Sequence, residues 1–169
     1  MNLLDRIMCL KAHEHRFRFD RRPSASESAC ALGKNPRMIR NFSISPLRVL
    51  VVDDEALIRW SISEALSQGG HRVVEAGSAE GALEALARAR EPIDVVLLDY
   101  RLPDSTDLRL LTTIRQTLPN TAIVLMTAYG TPELASDALA LGAYRVLSKP
   151  FDMHDVGSLV HDAYAAGRH

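Results

Sequence analysis

The sequence predicts an α/β domain that is doubly wound on a five-stranded parallel sheet. From Leu47 onward, short β-branched apolar runs alternate with amphipathic stretches, the pattern of repeated βα units, and five such units can be counted. Size sets the bound: 169 residues, 47% hydrophobic and 24% charged, allow one complete core and exclude a second large domain.

Each unit has its own signals. Arg48-Val49-Leu50-Val51-Val52 reads as a strand buried on both faces, ending in Asp53-Asp54-Glu55. Ile58, Ile62, Ala65 and Leu66 make a helical stripe that Gly69-Gly70 stops. His71 to Glu75 is a more polar strand, suited to a sheet edge, and Ser78 caps a helix through Leu83, Leu86 and Ala87. The third strand, Ile93 to Leu98, ends in Asp99; after Pro103 a helix is predicted from Ser105 to Gln116, burying Leu108, Leu111 and Ile114. Pro119-Asn120 turns the chain into strand Ala122 to Met126, closed by Thr127. Pro132 opens a helix through Leu134, Ala138 and Leu141, and Gly142 ends it. Tyr144 to Leu147 is the fifth strand and Asp152 to Ala165 the last helix.

Twenty Lys+Arg against twenty-one Asp+Glu give a formal net charge of −1, with a marked asymmetry. Residues 1–46 hold nine basic and four acidic residues and show neither strand alternation nor a helical stripe, so they are expected to be a disordered basic extension preceding a domain over 47–166. Three readings of that arm stay open: a solvated tail, a stretch upstream of a start at Met38, or an electrostatic dock for nucleic acid, an acidic partner or an anionic membrane surface. His13-Glu14-His15 lacks the further ligands a metal site needs. Cys9 and Cys30 both lie in the arm, so no disulfide framework holds the domain, and a reducing compartment, the cytoplasm, is expected. No apolar run is long enough for a membrane span or a signal-peptide core.

In an open parallel sheet the functional crevice lies beyond the carboxyl ends of the strands. Asp53, Asp54, Asp99, Thr127 and Lys149 all close apolar strands at that edge. Converging carboxylates repel by about 4 kcal/mol per pair at ~4 Å in an effective dielectric of ~20, so they need a counter-charge. Lys149 and a hard divalent cation can supply it, and oxygen-only ligation suits Mg²⁺. Lys149 and Thr127 can hold phosphoryl oxygens, which leaves Asp99 as the carboxylate able to attack phosphorus and form an aspartyl phosphate. Taken singly these residues carry little: an Asp-Asp pair after a strand is commonly a helix cap, and Lys149 a solvated lysine. Trp60 reads as a packing or exposed aromatic rather than a ligand.

Val51-Val52-Asp53-Asp54-Glu55, Leu97-Leu98-Asp99-Tyr100-Arg101-Leu102-Pro103-Asp104, Met126-Thr127-Ala128 and Ser148-Lys149-Pro150-Phe151 together resemble the receiver domain of bacterial two-component response regulators. The resemblance covers about Leu47 to Ala165. Ile58-Arg59-Trp60-Ser61 and Thr127-Ala128-Tyr129-Gly130 are most similar to receivers of the nitrogen-regulation type. It implies a flavodoxin-like strand order 2-1-3-4-5 and Asp99 as phosphoacceptor. It also implies Asp54, Asp99 and the Arg101 carbonyl as Mg²⁺ ligands with Asp53 reaching the ion through water, Thr127 and Lys149 as phosphoryl contacts, and a cis Lys149-Pro150 bond. The implied donor is a phosphohistidine on a sensor kinase or phosphotransfer protein; the chain catalyses only its own phosphorylation and dephosphorylation and is otherwise not an enzyme.

Three positions depart from the family. Val146 stands where an aromatic switch residue is usual; Tyr144, two residues earlier, is expected on the same face and able to substitute in coupling to Thr127. Asp107 replaces a usual glycine, which suggests a rearranged loop. Arg101 and Tyr129 flank the mouth of the site and are expected to restrict the hydrolytic water, giving a long phosphoryl lifetime. Only Gly167-Arg168-His169 follows the last helix, so signalling is expected by contact with a downstream protein, without an output domain in this chain. The rival readings are a relay intermediate, a receiver-like scaffold, a receiver fragment of a longer transcriptional regulator, and an aspartate-nucleophile phosphohydrolase. The last usually has a second Asp where Arg101 stands.

Overall fold

The computed structural model describes residues 46–167. The readings of the basic extension before Pro46, including Cys9, Cys30 and His13-Glu14-His15, lie outside the described residues.

Five parallel strands form one sheet in the order β2-β1-β3-β4-β5: β1 Arg48–Val52, β2 Arg72–Ala76, β3 Val95–Asp99, β4 Ala122–Thr127 and β5 Arg145–Ser148. β1, β3 and β4 occupy the middle, and their near-continuous Val, Leu and Ile content follows from burial on both faces. Alternate side chains divide the core into two layers. Val49, Val51, Val95, Leu97, Val124 and Met126 pack against α1 (Ala56–Gln68) and α5 (Val156–Ala166). Leu50, Val52, Val96, Leu98, Ile123 and Leu125 pack against α2 (Ala79–Arg88), α3 (Arg109–Thr117) and α4 (Pro132–Ala140). The helices therefore cover both faces, as predicted.

Local signals set most of the boundaries. The Ser78 hydroxyl accepts from Gly81 N–H at 3.1 Å, and the Thr131 hydroxyl caps α4 by accepting from Leu134 N–H at 3.2 Å. Gly70 (φ 84°) and Gly142 (φ 96°) take left-handed conformations just past α1 and α4, which is why glycine stands there.

Five element starts differ from expectation. β2 and β5 each start one residue later than predicted and β3 starts at Val95. In the last case Asp94 turns its carboxylate to Arg48 N–H at 2.8 Å. α3 begins at Arg109 rather than Ser105, because Leu102 and Ser105 exchange backbone hydrogen bonds of 2.8 and 3.2 Å and close a turn first. Asp107, in the glycine position, then accepts from Arg109 N–H at 2.9 Å. Residues 152–155 form a cap and a single 3₁₀ turn before α5, with the Asp152 carboxylate accepting from His154 N–H at 2.9 Å.

Candidate functional site

The parallel register brings the predicted strand ends together. Asp53 follows β1 and donates its N–H to Ala76 O at 3.1 Å, which buries it at the sheet edge. Asp99 is the last residue of β3, beside Met126, and Thr127 the last of β4, beside Ser148. Lys149 leaves β5 with its N–H on Thr127 O at 2.8 Å, and the Lys149–Pro150 peptide is cis.

Lys149 Nζ lies 2.6 Å from Asp99 Oδ2 and 2.7 Å from Asp53 Oδ2, with Glu55 Oε1 at 3.8 Å. Asp53 is wholly buried, Asp99 is 7% exposed, and Asp54 faces solvent. The second oxygens are also held: Asp53 Oδ1 accepts from Glu55 N–H at 2.9 Å and Asp99 Oδ1 from Arg101 N–H at 3.2 Å. Buried Thr127 accepts from Tyr129 N–H at 3.1 Å, which leaves its own O–H to donate into the crevice.

One ammonium does not balance this cluster. Burial pushes the Asp53 carboxyl above the usual carboxylate range, and the Asp99 charge adds to the push; the hydrogen bonds from Lys149 and Glu55 offset only part of it. For Lys149, burial alone would lower the ammonium, but its bonds to Asp53 and Asp99 outweigh that and raise it. Carboxylate oxygens of Asp53, Asp54 and Asp99 lie within 4.8 Å of one another. An all-oxygen donor set with surplus negative charge fits a hard divalent cation.

Around the cluster, Arg101 leans its guanidinium over the Tyr129 ring, 5.0 Å from the centroid, so the two bulky residues at the mouth form a cation–π pair. Val146 and Tyr144 do not share a face. Val146 packs with the α2–α4 layer, whereas Tyr144 precedes β5 and packs with the α1/α5 layer, its ring 5.7 Å from the Arg145 guanidinium. The turn after Gly142 delivers Tyr144 N–H to Ile123 O before pairing begins at Val124↔Arg145, so strand alternation does not extend back to Tyr144.

Two supporting residues, Arg59 and Asp104, lie inside the motifs quoted above but have no role that the sequence assigns. Arg59 donates to Asp53 O at 2.5 Å while pairing with Glu75 at 3.3 Å, and a Cβ at Gly77 would come within 3.3 Å of the guanidinium. Asp104 accepts from Ala79 and Glu80 N–H at 2.8 and 2.9 Å, tying the loop after Asp99 to the first turn of α2. Although slight burial works in the other direction, these backbone bonds hold the Asp104 carboxyl below its usual range.

The sequence pattern of the family described as "Response regulator receiver domain" matches residues 49–161. The response regulator protein FleR of Pseudomonas aeruginosa is 39% identical over 113 residues, which are 67% of this chain and 24% of FleR. The DNA-binding transcriptional regulator NtrC of Escherichia coli is 38% identical over 115 residues, 68% of this chain and 24% of NtrC. The chain thus spans about a quarter of the length of these relatives. A CheY-like response regulator receiver domain protein from Methanospirillum hungatei superposes with a TM-score of 0.67 at 26% identity, covering 73% of this chain and 97% of that one.

Lys149→Met should lower the unfolding free energy at neutral pH by about 3 kcal/mol, the usual cost of leaving a buried charge unpaired, read by urea titration. Without the ammonium the folded-state Asp53 carboxyl rises further, so the folded chain binds that proton more tightly than the unfolded one. The deficit is therefore expected to shrink as pH falls. In the parent chain the raised Lys149 ammonium contributes fully below the ordinary lysine range, and that contribution is lost only as alkaline pH passes its folded value.

Proposed function

This chain belongs to the response regulator receiver family, and from that premise we propose that it is a phosphorylation-dependent switch of a two-component system, with Asp99 as the phosphoacceptor. The observation that carries the proposal is the placement of Lys149 Nζ on Asp99 Oδ2 and Asp53 Oδ2, within a cluster of three carboxylates whose charge one ammonium does not balance. Mg²⁺ is the proposed ion, which Asp54, Asp99 and the Arg101 carbonyl would hold with Asp53 beside them; it would supply charge neutralisation for carboxylates and phosphoryl oxygens alike.

The chain's own residues account for the transfer. An Asp99 carboxylate oxygen attacks the phosphorus of a phosphohistidine, the P–N bond breaks and the imidazole leaves with its electron pair, giving an acyl phosphate. The Lys149 ammonium and the Thr127 hydroxyl donate to phosphoryl oxygens as negative charge moves onto them. Arg59 and Asp104 keep the β1–α1 turn and the loop after Asp99 in register with that geometry. Hydrolysis by water later returns Asp99, so the chain catalyses its own phosphorylation and dephosphorylation. A sensor histidine kinase or phosphotransfer protein is the proposed donor, in the cytoplasm; among the described residues no helix is long and apolar enough to cross a membrane.

Signal leaves, in this reading, by protein–protein contact through the fourth and fifth units. α4 buries only Ala138 fully while Leu139 and Leu141 stay exposed, so little packing resists a shift of that helix. Val146 in place of an aromatic, with Tyr144 on the opposite layer, favours a coupling that runs through the β4–α4 loop and Thr127.

Incubation of the chain with acetyl phosphate or phosphoramidate and Mg²⁺ is expected to add one phosphoryl mass by intact-mass spectrometry, absent in Asp99→Asn and without the ion. A folded chain that gains no adduct counts against the switch. Tyr129→Ala, which removes the partner of Arg101 at the mouth, is expected to speed loss of the phosphoryl group about twofold to fivefold, the rate equivalent of an exposed cation–π pair. An unchanged decay rate would show that these two residues do not restrict water.

A further inference from the structure

At the opposite corner of the domain, a groove of about 500 Å³ runs between the start of β2 and the end of α2. Val74, Ala85 and Ala89 line it with apolar side chains, Val73 adjoins it on the strand although its side chain packs in the opposite layer, and Arg48, Arg72, Arg88 and Arg90 line it against a single Glu91. That carboxylate is shared by two guanidiniums, 2.9 Å from Arg72 and 3.6 Å from Arg48. Arg88 reaches Glu84 at 3.1 Å on the open surface, and Arg90 has no ion-pair partner among the described residues. The groove is therefore lined with surplus positive charge.

Among the described residues β2 is an edge strand that pairs with β1 alone. Arg72 N–H donates to Leu47 O at 2.8 Å and Ala76 O accepts from Asp53 N–H at 3.1 Å. A parallel ladder uses alternate residues, so Arg72, Val74 and Ala76 turn their backbone groups to β1 while Val73 and Glu75 turn theirs outward. A backbone edge unpaired among the described residues, a few apolar side chains and a cationic lining thus occur side by side.

We propose that this edge docks an acidic segment of a partner protein in extended form, added beside β2, with backbone bonds to Val73 and Glu75 and carboxylates on the arginines. Charge complementarity selects the occupant. The chain's own residues 1–46, with nine basic residues against four acidic, are repelled. A second copy would set four arginines against their own mates. The lining holds no aromatic ring on which a base could stack, which disfavours a nucleic acid, and a lone anion would leave Val74, Ala85 and Ala89 unused.

The test titrates a blocked peptide of alternating aspartate and valine into the ¹⁵N-labelled full chain, with inorganic phosphate and duplex DNA in parallel arms. Docking is expected to shift the amides of residues 73–75 and 85–91 and to slow exchange of the Val73 and Glu75 amides. Arg88→Glu with Arg90→Glu, both on the surface, should weaken binding by about tenfold or more. Val73→Pro keeps every arginine but removes one outward N–H, and should abolish the slowed exchange at Glu75 while circular dichroism shows the fold intact. The proposal is overturned if no shift appears up to about 1 mM peptide, if phosphate reproduces the shifts at equal affinity, if the duplex binds more tightly, or if Val73→Pro binds like the parent. Self-association of the charge-reversed variant, with no peptide binding by the parent, would overturn it too, leaving the arginines as guards of the edge.

Discussion

Two carboxylates shielded from water, Asp53 and Asp99, share one ammonium, and that ammonium arrives from a strand two positions away across the sheet from β1's neighbour β3. Burying like charges together is costly unless a counter-charge sits within hydrogen-bond reach. The order β2-β1-β3-β4-β5 meets that condition because β4 is the only strand between the Asp99 end and the Lys149 end. The cis peptide after Lys149 and the Lys149 N–H bond to Thr127 O fix the point from which the side chain reaches across. A shift of one residue in any central strand would turn its terminal polar residue to the other face and break the cluster.

The two hydrophobic layers exist to hold that register, and the polar ring outside them makes it specific. Arg59 clamps the backbone of Asp53 from α1, and Asp104 anchors the loop after Asp99 to α2. Each uses a charged side chain on a backbone group, a stronger bond than a neutral pair. The β4–α4 side has fewer side-chain ties: the Thr127 hydroxyl accepts one bond, from Tyr129 N–H, and α4 fully buries Ala138 alone among its residues. The carboxylates and the lysine are thus each held by several bonds, and the Thr127 hydroxyl by one.

Strand ends were legible because an apolar run that stops in Asp, Thr or Lys has one physical reading in a parallel sheet, and Asp53, Asp99, Thr127 and Lys149 all follow it. Helix stops at Gly70 and Gly142 were legible for the same kind of reason, since positive φ narrows the choice of residue. What stayed hidden depends on distant partners. The late start of α3 follows from the Leu102–Ser105 turn, which no periodicity announces. Tyr144 falls on the unexpected layer because the turn after Gly142, not strand alternation, sets its direction. Asp104 acts on backbone atoms alone, and Arg59 joins the Asp53 carbonyl to Glu75 across another element, contacts that no local spacing announces. The groove at β2 was invisible because its arginines come from β1, β2 and the end of α2.

The most direct test of the strand-end site is ¹⁹F NMR of the full chain with beryllium, fluoride and Mg²⁺, because trifluoroberyllate mimics a phosphoryl group on a carboxylate without requiring a donor. The account predicts one set of bound fluorine signals that needs Mg²⁺, vanishes in Asp99→Ala and moves in Thr127→Val. Bound signals that persist in Asp99→Ala, or none at all from a folded chain, would contradict it.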